Sequence, residues 1–215
     1  MLRTAGLSYA DYAHQGYGQL LAAALLTLAV IAGARRWARI AGRRDDVLLR
    51  TLLIALCALC LVVLASALKR LWLYEEAYGA TRLRLLADAN ILWLGAVLAL
   101  VVGALAANRA GWLPRAVVLV SAAGAVAFAL SNPDGRIATQ NVGRYLGGDR
   151  IDEYYLASLS ADAAVPRLRA VPCAALAVRS RVPEAGGLLG ANLARARARR
   201  ALEDVVAPER SCPYL

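Results

Sequence analysis

The chain has 215 residues, 60% of them hydrophobic, and a mean hydropathy of +0.52. Four long apolar runs at that length exclude an ordinary soluble domain and point to an integral membrane protein. The net charge of +10 is concentrated outside those runs, where it sets orientation and meets anionic lipid headgroups; no recognition motif accompanies the arginines, so nucleic acid is not an expected partner.

The N-terminus, MLRTAGLSYADYAHQGYGQLL, places a polar, aromatic stretch before the first apolar run. No small-residue cleavage site follows a short apolar core, so no cleavable signal peptide is expected. An opening of this kind fits the C-terminal piece of a longer chain. The first predicted span runs from about Tyr17 to Ala34 and stops at RRWARIAGRR. The second, about Val47 to Leu68, holds Arg50, Cys57 and Cys60. The third, about Leu85 to Ala107, carries Asp88 and Asn90 near its start. The fourth, about Ala116 to Ser131, closes at SNPDG. Each is near the ~20 residues that cross ~30 Å of hydrocarbon as a helix, the form forced where backbone groups find no water. Gly95, Gly103 and Gly124 read as close-packing positions between such helices.

Basic residues divide evenly between the two sides. Arg35, Arg36, Arg39, Arg43, Arg44, Arg109 and Arg115 lie on one, and Lys69, Arg70, Arg82, Arg84, Arg136, Arg144 and Arg150 on the other, seven against seven. The early, dense cluster decides, which makes the first loop cytoplasmic and sends the C-terminal region outside the inner (plasma) membrane. Cys173 and Cys212 fit that side, as one disulfide in an oxidising compartment, though two free thiols are the alternative. Cys57 and Cys60, inside a span, read as small apolar fillers.

Residues 1–131 are therefore predicted as a four-helix transmembrane region and 132–215 as a small α-helical extramembrane domain; the fold class is all-α. In the tail, Asn132 is a candidate N-cap with Pro133 at the first helical position, and the helix stops at Gly147 and Gly148. IDEYYLASLSADAAVPRLRAV gives a second element, with Ser160 as a cap and a bend at Pro166. EAGGLLGANLARARARRALEDVV gives a third, bounded by Pro183 and Pro208. Its Arg195, Arg197, Arg199 and Arg200 do not form one stripe; they read as a solvated face flanking the bilayer, with an anionic lipid or acidic partner as the alternative.

The segment KRLWLYEEAYGATRLR, Lys69 to Arg84, is the densest polar patch between spans. The second helix is predicted to continue to Tyr78, with Gly79 as a left-handed terminator and Thr81 capping the third. From Val47 that is ~48 Å at 1.5 Å per residue, so its last turns emerge from the hydrocarbon. Trp72, Tyr74 and Tyr78 then suit the interfacial belt, and Lys69 and Arg70 reach headgroups. Glu75 and Glu76 are expected to face Arg82 and Arg84 across the turn, and Arg84 to pair with Asp88 at i,i+4. These five residues form either a structural ion-pair knot closing the hairpin or a site.

ALKRLWLYEEAYGATRLRLL, with YADYAHQGYGQLL upstream and NPDGRIATQNVGRYL…IDEYYLASLSADAAVPRL downstream, resembles a family of bacterial multi-pass membrane proteins known only as a domain of unknown function, the 4153/4173 group. The resemblance covers most of residues 7 to 170. It implies a membrane architecture, usually with further spans before the YADYA motif, and no catalytic residues.

Few groups here could carry chemistry. His14 is the only histidine, which disfavours a triad or a multi-histidine metal site, and it fits an interfacial position beside Tyr12 and Tyr17. Cys57 and Cys60 have no histidine partner for zinc, and no glycine-rich loop opens a helix after a strand. Glu75 and Glu76 point about 100° apart on a helix, a poor acid–base pair. No metal, cofactor or enzymatic activity is expected. The expected function is that of a non-catalytic envelope component binding a partner protein, or sensing the envelope, through its outer helices and the hairpin 69–88. Half of a multi-pass transporter is the alternative, although the spans lack the polar, broken helices of ion-coupled carriers; a membrane enzyme is the third reading.

Overall fold

The structure, a computed structural model, describes residues 9–38, 42–164 and 166–180 with Arg200 and Cys212, and of residues 9–17, 166 and 167 only the backbone. The described chain is helical, with no strand among the described residues. In order it forms α1 (Tyr9–Trp37), α2 (Arg43–Tyr78), α3 (Arg82–Ala106), α4 (Leu113–Leu130), α5 (Pro133–Leu146), α6 (Glu153–Ala157), two 3₁₀ turns (Ala161–Ala163 and Pro166–Ala170) and α7 (Pro172–Ser180). Four of these helices are long and apolar enough to cross a membrane: Gly18–Trp37 of α1, and α2, α3 and α4 whole. All-α architecture and four spans followed by shorter helices are thus as expected from the sequence.

The described chain divides into two compact units, residues 1–72 with 86–125, and 73–85 with 126–215. In the first, the seam lies on α3. Ala87, Ile91, Leu94, Leu98, Val101 and Leu105 are all buried there, at alternating spacings of four and three. That is the heptad seam of left-handed helix packing. Ala24 and Ile31 of α1, and Leu53, Cys57 and Leu64 of α2, join the same cluster. Trp93 Nε1 donates to Ser121 Oγ at 2.9 Å, and that hydroxyl donates to the Val117 carbonyl, so α3 and α4 share a satisfied polar contact. The glycines are not close-packing positions as expected. A Cβ on Gly95 would lie 3.9 Å from Leu61 and one on Gly103 4.0 Å from Trp112, both ordinary contacts, and Gly124 meets nothing within 4 Å. Past α3, Asn108 takes φ 51°, and the Arg109 amide closes on the Ala104 carbonyl, the left-handed cap that ends a helix.

The second unit is built on α5. Asn132 caps it, its side chain accepting from the Gly135 amide at 2.9 Å, Pro133 follows, and Gly147 terminates it, as the sequence predicts. Ile137, Ala138 and Val142 bury one face of α5 against Leu156, Leu159, Leu168 and the alanines of α7. The second predicted element differs. Asp152 caps a five-residue α6, and Ser160 caps a 3₁₀ turn at Ala161–Ala163 instead of a helix that bends at Pro166; Pro166 opens a second 3₁₀ turn. Short alternating polar and small residues supply no continuous apolar stripe, so short turns pack where a long helix could not. The sequence reading assigned no element to α7, although Pro172 ahead of CAALAV has a helix-opening pattern. The predicted third tail helix, 184–206, lies outside the described residues except for Arg200.

Candidate functional site

The hairpin begins where α2 can no longer continue. Gly79 takes φ +81°, and its amide donates to the Glu75 carbonyl at 2.8 Å. Most residues with a Cβ enter that region only at a steric cost, and a Cβ here would stand 2.6 Å from Asn141 Oδ1. Gly79 is thus the left-handed terminator expected. Thr81 Oγ1 accepts from the Arg84 amide at 3.4 Å, at the opening of α3. The Arg84 guanidinium turns back to the Gly79 carbonyl, one residue past the C-terminus of α2, where the helix dipole favours a cation.

From the turn, Ala80 enters the core of the second unit and is only 1% exposed. A buried peptide group must find partners, and α5 supplies both. Asn141 Nδ2 donates to the Ala80 carbonyl at 2.9 Å, and Asn141 Oδ1 accepts the Ala80 amide at 2.8 Å. One turn on, Arg144 Nη2 donates to the Ala77 carbonyl at 2.9 Å while its Nε holds Asp149. From α6, the Tyr155 hydroxyl accepts the Arg82 amide at 2.8 Å.

The strongest contact joins Arg82 to Asp134 by two parallel bonds, Nε to Oδ1 at 2.7 Å and Nη2 to Oδ2. The Ser160 amide adds a third bond to Asp134 at 2.9 Å. Asp134 is 6% exposed, the buried charged residue among the described ones. Burial pushes its carboxyl up, but the bonds from Arg82 and Ser160 and the guanidinium charge outweigh that and hold it at about 2.

Part of the expected knot changes. Arg82 reaches Asp134 instead of Glu75 or Glu76, and Arg84 Nη1 donates to the Gly79 carbonyl. An arginine on the second residue after a turn faces whatever packs on that turn, and here that is α5. Glu75 is half-buried in the field of Arg84 and Arg136, its Oε1 without a hydrogen bond among the described residues; Glu76 is exposed. Asp88 is half-buried on α3, in the other unit. Lys69, Arg70 and Trp72 are exposed, as headgroup contacts require, with Trp72 57% open. Arg200 is exposed, and Arg195, Arg197 and Arg199 lie outside the described residues. Asp134, Asn141, Arg144 and Tyr155 were missed. For Asp134 and Asn141 the signal was the spacing 134, 137, 138, 141, 142, one helical face carrying two polar members among buried apolar ones.

On its other face α5 borders an open groove of about 610 Å³, walled by Asn132, Arg136, Gln140 and Arg144 along one row and Ser131, Gly135, Thr139 and Gly143 along the next. Cys173 of α7, buried, is bonded to Cys212, with Cα atoms 5.4 Å apart. Peptides from membranes prepared without reductant should therefore carry that link, and free alkylation of both thiols would refute it. Cys57 and Cys60 remain free thiols. Among the described residues no group of three or more His, Cys, Asp or Glu is placed to hold a metal ion.

The polar groups converge on the hairpin peptide and on one another, an arrangement that fixes a loop. No curated protein and no solved structure matches the chain. The family model described as Domain of unknown function (DUF4153) matches residues 1–170, well over half of the sequence and nearly the stretch over which the resemblance was read, and the chain belongs to that family.

Proposed function

We propose that this membrane protein is a non-catalytic component of the cell envelope that binds a partner protein, or senses the envelope, through its outer helical unit, with the hairpin 73–85 as one of its working parts. One observation carries the reading. Ala80, the tip of a hairpin between two membrane-spanning helices, is a buried core residue of the helical unit and has both its peptide groups held by Asn141. A loop that only reversed the chain would need neither. An event at the outer helices thereby acts on the connection between two spans. The Cys173–Cys212 bond favours an outer, oxidising location for that unit.

A photo-crosslinking residue at Gln140, on the groove, tests the reading in intact membranes. The expected result is a discrete adduct with one protein, absent when the same residue replaces the lipid-facing Leu59. The reading fails if Gln140 yields the same lipid-only products as Leu59.

A further inference from the structure

We propose that the corner at the start of α2 is a binding site for an anionic phospholipid, its phosphate held by Arg43 and Arg44 and one acyl chain lying along Val47 and Leu48. This goes beyond the docking reading and does not depend on it. Between residues 35 and 50 the sequence carries six arginines and two aspartates. Among the described residues, the ion pairs of this corner join Asp46 to Arg50 at 2.8 Å and to Arg35 at 3.4 Å. Those pairs engage Asp46, and the side chains of Arg43 and Arg44 are exposed.

Both arginines line a groove of about 580 Å³ whose remaining wall is Val47, Leu48 and Thr51. Helical spacing produces that wall: 43, 47 and 51 stand in one row, 44 and 48 in the next. Thr51 turns its hydroxyl to the Val47 carbonyl at 2.9 Å, so its methyl group is what the groove meets. The groove is therefore cationic at one end and apolar along its length. Val47 and Leu48 are 48% and 62% exposed, with Leu52 at 59% continuing the strip down the helix. An inorganic anion would satisfy the arginines and fill none of the apolar part of the groove. A zwitterionic lipid would cover the strip and bring a cation of its own to the arginines. An anionic phospholipid satisfies both ends, and α2 is long and apolar enough to place the corner at a membrane surface.

Native mass spectrometry of the full chain in mild detergent, titrated with short-chain phosphatidylglycerol, tests the site. We expect saturable adducts, weaker ones with phosphatidylcholine, and little competition from millimolar inorganic phosphate. Arg43→Ala with Arg44→Ala should weaken phosphatidylglycerol binding about thirtyfold, since each cation beside an anionic surface contributes about a factor of five. Arg43→Lys with Arg44→Lys should keep most of the binding. Leu48→Ser should lower it for long acyl chains more than for short ones. The proposal is overturned if the double alanine variant, melting as the native chain does, binds phosphatidylglycerol equally well. It is equally overturned if phosphate alone displaces the lipid, or if Lys69→Ala with Arg70→Ala removes the adducts instead.

Discussion

Replacing Arg82 by alanine should destabilise the full chain by about 3 kcal/mol at neutral pH, because it strands the Asp134 carboxylate in a nearly closed site. The figure stands at the low end for a broken buried pair, since the Arg82 side chain is itself 47% exposed and partly screened. Asp134→Asn in the same background should restore a good part of the loss, because an amide is far cheaper to bury than an unpaired charge and still accepts from the Ser160 amide. The native pair also fixes a pH dependence. The Asp134 carboxyl sits at about 2 in the fold, below its ordinary value of 3.8. Its stabilisation is therefore fully present above that ordinary value and is lost as pH falls from about 4 through 2. The amount is on the order of 1–2 kcal/mol after allowance for the exposed arginine. In Arg82→Ala the carboxyl loses its main counterweight to burial, so that variant's deficit should shrink as pH is lowered toward 4. Thermal unfolding of the native chain and the two variants in detergent between pH 3 and 7 reads all of this.

The second large effect belongs to Asn141. Asn141→Ala removes both partners of the Ala80 peptide groups, which have no route to water, and should cost about 3 kcal/mol. Gly79→Ala should also be damaging, through a left-handed φ that costs about 1–2 kcal/mol and a Cβ set 2.6 Å from Asn141 Oδ1. With Asn141→Ala already in place the steric part disappears, so the two losses should sum to more than the double variant shows. Equal, additive losses would mean that the hairpin and α5 do not meet as described.

The parts of the fold that composition controls were legible. Span positions follow from hydropathy, and the ends of α2 and α5 follow from Gly79, Asn132, Pro133 and Gly147, residues whose backbone preferences leave few alternatives. The seam of α3 was not legible. Nearly every residue from Leu83 to Ala107 is apolar, so the buried heptad 87, 91, 94, 98, 101, 105 has no polar contrast to stand out against. The hairpin was half legible. Its stop and start were written locally, but local logic left Arg82 to the glutamates. The partner that matters, Asp134, is 52 residues away in sequence and looked like part of a helix opening. Long-range partners of a turn carry no local signature, and only the mixed polar and apolar face of α5 pointed to them. Both 3₁₀ turns and α7 were missed for a related reason. Runs of alanine among single polar residues pack equally well as short turns or as one helix, and tertiary contacts make the choice.

The hairpin 73–85 belongs to the same compact helical unit as α5. Hydrogen exchange of the full chain in detergent or nanodiscs tests it most directly, by comparing the amides of 79–82 with those of α5. The account expects the Ala80 and Arg82 amides, bound to Asn141 and Tyr155, to exchange in the same slow class as α5 and to be released together with it by Asn141→Ala. Hairpin amides exchanging at the rate of an open loop while α5 stays protected would contradict it.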